Sequence, residues 1–223
     1  MMAYTVKEIY ASIQGEGAQT GREAVLCRFA GCNLWSGREQ DRDKAACNFC
    51  DTDFEGSNGP GGDVFETSDE LAAAVARCWG EGKAASMVKN TEAKPFVICT
   101  GGEPLLQLDS ALVDALHEAG FDVAVETNGT LSEPGNIDWL TVSPKSPADD
   151  PGLVQRKGDE LKLVFPQTGI EPEDFATLDF LHFFLQPMDG PDKQRNTALV
   201  LDYCHHHPRW RVSLQTHKIL GVA

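Results

Sequence analysis

Short apolar runs that end in Gly or Pro recur along the chain, and most carry no helical period. The clearest span residues 24–29, 95–100, 122–126, 138–142, 160–165 and 181–185, with 209–214 as one more near the end. Their β-branched and aromatic content predicts buried strands of a parallel sheet. Helical spacing is rarer. Leu71, Val75 and Cys78 share one face over 69–79, with Ser68 placed to cap the start and Gly80 to stop it. Leu112, Leu116 and Ala119 do the same over 109–119 before Gly120, and a third such stretch covers 192–206 before Pro208. Between 126 and 138, and between 142 and 160, Pro, Gly, Ser, Asn and Asp dominate and no helical period appears. Some crossovers between parallel strands must then be bare loops. The pattern predicts an α/β fold: an open, partial TIM-like β/α barrel with about six parallel strands and about three full helices.

At 223 residues the chain is expected to form a single domain over 1–223. In such a sheet ligands bind at the carboxyl ends of the strands. Successive strands there run into Thr100-Gly-Gly-Glu-Pro104, Glu126-Thr-Asn-Gly129, Ser143-Pro-Lys145 and Gln186-Pro-Met188, all polar or Gly-rich.

Composition narrows the chemistry. A net charge of −15 argues against a nucleic-acid backbone as partner, yet a few local cations can still receive a small anion. No apolar run reaches membrane-spanning length, and the first residues lack the features of a signal peptide, so the expected location is the cytoplasm, with thiols reduced. Seven cysteines there point to metal rather than disulfides. Cys78, Cys99 and Cys204 lie in apolar or helical contexts and read as core residues.

Cys32, Cys47 and Cys50 stand in C-x14-C-x2-C spacing. Three thiolates can hold three irons of a four-iron cluster and leave the fourth open to a small molecule. Adding Cys27 would instead complete a four-cysteine zinc knuckle, hence a zinc-binding interaction module. Against this, period two over 24–30 puts Cys27 on one face with Val25 and Phe29, as a small buried residue. On spacing alone the two readings are evenly matched.

Other residues have a local logic of their own. Gly101 and Gly102 let a backbone approach a ligand, and Glu103 can accept from an ammonium group. Gln14 and Glu16 pair an amide with a carboxylate around Gly15, which suits a ligand edge with adjacent N–H donors and a carbonyl. Arg28 lies mid-strand opposite Cys27 and needs an anion, either a substrate carboxylate or Glu126. Asp51-Thr-Asp53 offers hard oxygen donors for Mg²⁺.

Taken in order along the chain, these motifs, with Arg28-Phe-Ala-Gly-Cys-Asn-Leu34 and Gln215-Thr-His-Lys218, resemble the radical S-adenosylmethionine enzymes. Within that superfamily they resemble the branch that contracts a carboxylated pterin to a deazaguanine on the way to queuosine. The resemblance implies a [4Fe-4S] cluster on Cys32, Cys47 and Cys50, S-adenosylmethionine and Mg²⁺. It implies S-adenosylmethionine contacts from Phe49, Gly101, Gly102, Glu103, Ser143, Lys145 and Gln186, and Thr52 on Mg²⁺. Substrate contacts fall to Gln14, Glu16, Arg28, Thr100, Asn128, His217 and the terminal carboxylate of Ala223. No side chain is implied as catalyst, since the cluster and its ligand generate the radical. A homodimer and an electron donor such as flavodoxin or ferredoxin are implied as well. The nearest alternative is an activating enzyme that installs a glycyl radical, which should lack the Gln14/Glu16/Arg28/His217 set. One departure stands out: Ser36 and Glu39 occupy the positions where the superfamily's C-x3-C-x2-C would have cysteines. Treating 35–46 as an insertion restores Cys-Asn-Leu directly before Cys47.

Overall fold

The structure is a computed structural model that describes residues 3–85 and 94–222. Its described strands form one nine-stranded sheet in the order β3-β1-β2-β4-β5-β6-β7-β8-β9. Seven run parallel: β2 (Glu23–Phe29), β4 (Phe96–Gly101), β5 (Asp122–Thr127), β6 (Trp139–Val142), β7 (Lys157–Phe165), β8 (Asp179–Pro187) and β9 (Trp210–Val212). These are the apolar runs read from the sequence, including the one near the end. At one edge, β1 (Tyr4–Ile13) and β3 (Asp63–Phe65), the outermost, are antiparallel and were not expected. A register shift between Val6 and Glu8 explains why β1 escaped notice, because the bulge breaks the period-two alternation.

The full helices are α1 (Ser68–Ala85), α2 (Ser110–Glu118) and α4 (Lys193–His206), with the short α3 (Pro172–Phe175) and α5 (Thr216–Leu220). The cap of α1 lies one residue earlier than Ser68. Thr67 Oγ1 accepts from Glu70 N at 3.2 Å while the Glu70 carboxylate accepts from Thr67 N at 3.3 Å, a reciprocal capping box. No helix fills the β5–β6 or β6–β7 crossovers, as the composition of those segments requires.

The two faces of the sheet differ in kind. The outer face carries Val25, Cys27, Phe29, Val97, Cys99, Val123, Val125, Leu161, Leu163 and Leu185 into the main core, under helix residues such as Leu71, Val75, Leu112 and Leu116. The inner face has only a small apolar base of Ala24, Phe96, Ile98 and Ala124. Above that base it turns polar. No strand pairing joins β9 to β3, so the barrel stays open. The segment after β1 bridges part of the opening: Gly17 N donates to Ser213 Oγ at 3.0 Å, Ala18 N to Glu160 Oε2 at 2.8 Å, and Thr216 N to Gly15 O at 2.9 Å. Among the described residues no helix is long and apolar enough to cross a membrane.

Candidate functional site

A cavity of about 390 Å³ occupies the inner face. Every residue singled out from the sequence lines it except Glu103 and Ala223. Ala223 lies outside the described residues.

One wall carries Cys32, Cys47 and Cys50. Cys32 follows β2, and Leu34 N donates to its sulfur at 3.4 Å. Cys47 and nearby Lys145 lower the Cys50 thiol below its ordinary range, against its own burial. Cys27 is elsewhere. It is fully buried on the opposite face, packed near Cys99 and Cys78, so it cannot complete a zinc knuckle with the other three. Among the described residues no three Cys, His, Asp or Glu side chains converge as a set for a single metal ion. Three thiols on one wall, with Cys27 on the other face, match the three-ligand set of a four-iron cluster with one open iron.

The cysteine wall is fixed by close backbone packing. Glu103 N donates to Gly31 O at 2.9 Å, and a Cβ on Gly102 would sit 1.8 Å from that same oxygen, so only glycine fits there. Asn128 Nδ2 donates to Asn33 Oδ1 at 2.9 Å and ties the β5 end to the same loop.

Glu103 behaves differently from the sequence reading. Its carboxylate is fully buried and accepts from Leu105 N at 3.0 Å, Thr127 Oγ1 at 2.8 Å and Asn128 N at 2.8 Å. Burial raises its pKa despite these donors. These bonds hold the strand ends together, and Glu103 is not among the residues that line the cavity.

Lys145 is half-buried beside the thiols, where its ammonium donates to Ser143 Oγ at 2.7 Å and to the Ser143 carbonyl. Among the described residues it forms no ion pair. Burial depresses its pKa, opposed by the neighbouring thiols and Glu103. A half-buried ammonium whose hydrogen bonds go to Ser143 is placed to receive an anionic ligand. A carboxylate such as that of S-adenosylmethionine is such a ligand, and with the soft thiols and glycine backbone the donor set fits a cluster with that ligand.

The opposite wall is a polar network. Lys162 pairs with Glu16 and lies 3.6 Å from Glu126. Gln186 Nε2 donates to Glu16 at 3.0 Å, Gln14 Nε2 to Glu126 at 2.9 Å, and Thr100 Oγ1 to Glu126 at 3.2 Å. Burial alone would raise Glu16, but Lys162, Gln186 and Gln215 hold it down to about 2. The His217 ring packs on Gly15, where a Cβ would meet its Nδ1 at 2.0 Å. Arg28 does not pair with Glu126. Its partner is Glu8 on the neighbouring strand, at 2.8 Å, with the Tyr10 hydroxyl at 3.2 Å.

Sequence reasoning missed Lys162 and Glu160 and gave Glu126 no role in the site. The available signal was alternation: Glu160, Lys162 and Val164 interleave with Leu161 and Leu163 in a strand that is otherwise buried on both faces. A parallel strand with polar residues on one buried face marks a cavity on that face.

Glu160 offers a direct pH test. Burial, with Glu126 and Glu16 nearby, raises it from 4.5 to about 7 against the pull of Lys162. The unfolded chain therefore releases this proton first, and stability falls as pH rises from 4.5 to 7. Glu160→Gln keeps an acceptor for Ala18 N and removes this slope. Denaturant unfolding at pH 8 should find the variant more stable than the parent by up to about 3 kcal/mol, with the difference vanishing near pH 4.5.

No family model matches the chain. It is 58% identical to the 7-carboxy-7-deazaguanine synthase of Caulobacter vibrioides, over 99% of this chain and 100% of that protein. The synthases of Bordetella pertussis and Bacteroides thetaiotaomicron, at 58% and 40% identity, are covered as completely. The crystal structure of QueE from Escherichia coli superposes with a TM-score of 0.65 at 26% identity, covering 97% of this chain and 96% of that one.

Proposed function

The chain belongs to the 7-carboxy-7-deazaguanine synthase family of radical S-adenosylmethionine lyases, and on that premise we propose how its residues serve the reaction. The reaction converts 6-carboxy-5,6,7,8-tetrahydropterin to 7-carboxy-7-deazaguanine with loss of ammonia. The supporting observation is that one cavity holds three thiols on one wall and an amide–carboxylate–ammonium network on the other. When bound, the cluster and S-adenosylmethionine would supply the one-electron chemistry that the side chains of the pocket cannot.

The protein's part is binding, orientation and exclusion of water. Cys32, Cys47 and Cys50 hold the cluster. Lys145 and Ser143 receive the carboxylate of S-adenosylmethionine, the Gly101–Gly102 backbone approaches its amine, and Phe49 and Gln186 border its adenosine. Glu103 acts at one remove, by holding the 101–105 turn and the β5 end together. Glu16 and Gln14 take the donor and acceptor edge of the pterin, with Glu16 kept ionised by Lys162. Arg28, Thr100, Asn128 and His217 complete the pocket. Gln186 donates to Glu16, so it also separates the cofactor half from the pterin half.

Mg²⁺ belongs at Thr52. Asp51 is committed to Lys218 at 2.8 Å and Gln215 at 3.2 Å, and Asp53 to Lys7 at 2.8 Å. The Thr52 side chain lines the cavity between them. One protein oxygen plus a substrate carboxylate and waters is a usual Mg²⁺ arrangement, and the ion then orients the ring that rearranges. Thr52→Ala should raise the Mg²⁺ concentration for half-maximal turnover about tenfold, with the cluster spectrum unchanged. Equal Mg²⁺ dependence in parent and variant would remove Thr52 from the site.

Residues 35–46 form an insertion in the cluster loop: Ala46 N donates to Leu34 O at 3.1 Å and closes its neck. A homodimer and a flavodoxin- or ferredoxin-type electron donor complete the proposal. The deciding experiment is an anaerobic assay of reconstituted protein with the tetrahydropterin, dithionite and S-adenosylmethionine. Cleavage of S-adenosylmethionine without deazaguanine would overturn the substrate while leaving the radical chemistry standing.

A further inference from the structure

We propose that Arg42, carried by the 35–46 segment, is a positioning residue that clamps the turn bearing Cys47 and Cys50. The turn has no regular structure, and among the described residues no backbone N–H reaches the carbonyls of Asn48 or Cys50. Arg42 supplies both partners from one nitrogen, at 3.0 Å to each carbonyl. The guanidinium is itself held on its other sides. Its Nε donates to the Glu39 carboxylate at 2.8 Å, and its plane lies over the Trp35 ring at 4.2 Å.

The platform beneath it reaches the third cysteine. Trp35 is buried and packs edge-on against Phe54 with ring centres 5.5 Å apart, and its indole N–H donates to Arg38 O. The Phe54 carbonyl accepts from Gly31 N at 3.2 Å, next to Cys32. A single stack therefore runs from the Cys47–Cys50 turn through Arg42, Trp35 and Phe54 to the backbone before Cys32. Only a planar, forked cation can stack on the indole and reach carboxylate and carbonyls together. An insertion that separates Cys32 from Cys47 thus also restores the geometry that the separation would loosen.

This rests on the reading of Cys32, Cys47 and Cys50 as cluster ligands, and the test separates the two. Full-length parent, Arg42→Gln and Arg42→Lys are reconstituted anaerobically with iron and sulfide. Iron release to a chelator and the paramagnetic resonance of the dithionite-reduced cluster are then measured. Both variants should fill to the parent's iron content but release iron on the order of tenfold faster, with shifted resonance lines and apoprotein melting unchanged. Parental release and superimposable spectra in both variants overturn the proposal, as does full rescue by lysine, which would leave charge alone as the cause. If lowered apoprotein melting clouds Arg42→Gln, Trp35→Phe decides: release faster than parental supports the stack and parental release refutes it. A parent protein with no iron–sulfur chromophore would sink the ligand reading instead.

Discussion

Replacing Cys50 with alanine removes the iron–sulfur chromophore and all turnover, whereas Cys27→Ala leaves both within about twofold of the parent. The two residues are the same chemically and differ in which face they occupy. Cys50 shares the cavity wall with Cys32 and Cys47, and no other thiol of the described residues lines that cavity to replace it. Cys27 points into the main core beside Cys99, with burial pushing its thiol well up. Its loss opens a small void worth about 1 kcal/mol, a cost to stability and not to chemistry. Iron and sulfide content, visible absorption and anaerobic turnover check both variants in one series. Loss of the chromophore in Cys27→Ala would return that residue to the ligand set and revive the zinc-type knuckle. Retention in Cys50→Ala would break the three-thiol assignment.

The strands were legible because a buried parallel strand needs a continuous apolar run, and each such run in the sequence became a strand. Strand β1 was not, because its bulge puts Val6 and Ile9, both buried, out of period-two phase. Face assignment was legible where alternation is strict, so Cys27 and Arg28 were separated correctly. Partners were not. Arg28 found Glu8 through cross-strand register, and register depends on a strand that the pattern concealed. The same holds for Glu103, whose run Gly-Gly-Glu gives no sign that Leu105, Thr127 and Asn128 will donate to its carboxylate. Lys162 was hidden for another reason: a single lysine inside an apolar run reads as an interruption. It becomes a site residue only when Glu16 and Glu126, from distant segments, join Glu160 of its own strand in facing it.

Lys162→Met should be the most damaging change outside the cysteines, lowering stability at neutral pH by about 3–5 kcal/mol and raising the KM for the pterin about a hundredfold or more. The ammonium is buried and faces Glu16, Glu126 and Glu160, so its removal leaves one buried and two half-buried acids with no cation among them. The sign with pH follows from Glu16. Its folded pKa of about 2 lies below the ordinary 4.5, so its contribution is fully present above pH 4.5 and fades as pH falls towards 2. Without Lys162, burial and mutual repulsion raise the acids, which then take up protons at mildly acidic pH. The deficit of the variant should therefore be largest at pH 8 and shrink at pH 5. Denaturant unfolding at the two pH values measures this, and pterin titration measures the second effect. The cluster wall is built from other residues, so the iron–sulfur spectrum and the response to S-adenosylmethionine should stay parental. An unaltered KM together with a pH-independent stability loss would mean that Lys162 is only packing. An unaltered KM with the predicted pH profile would confine the network to folding and move the pterin's recognition edge to Arg28 and His217.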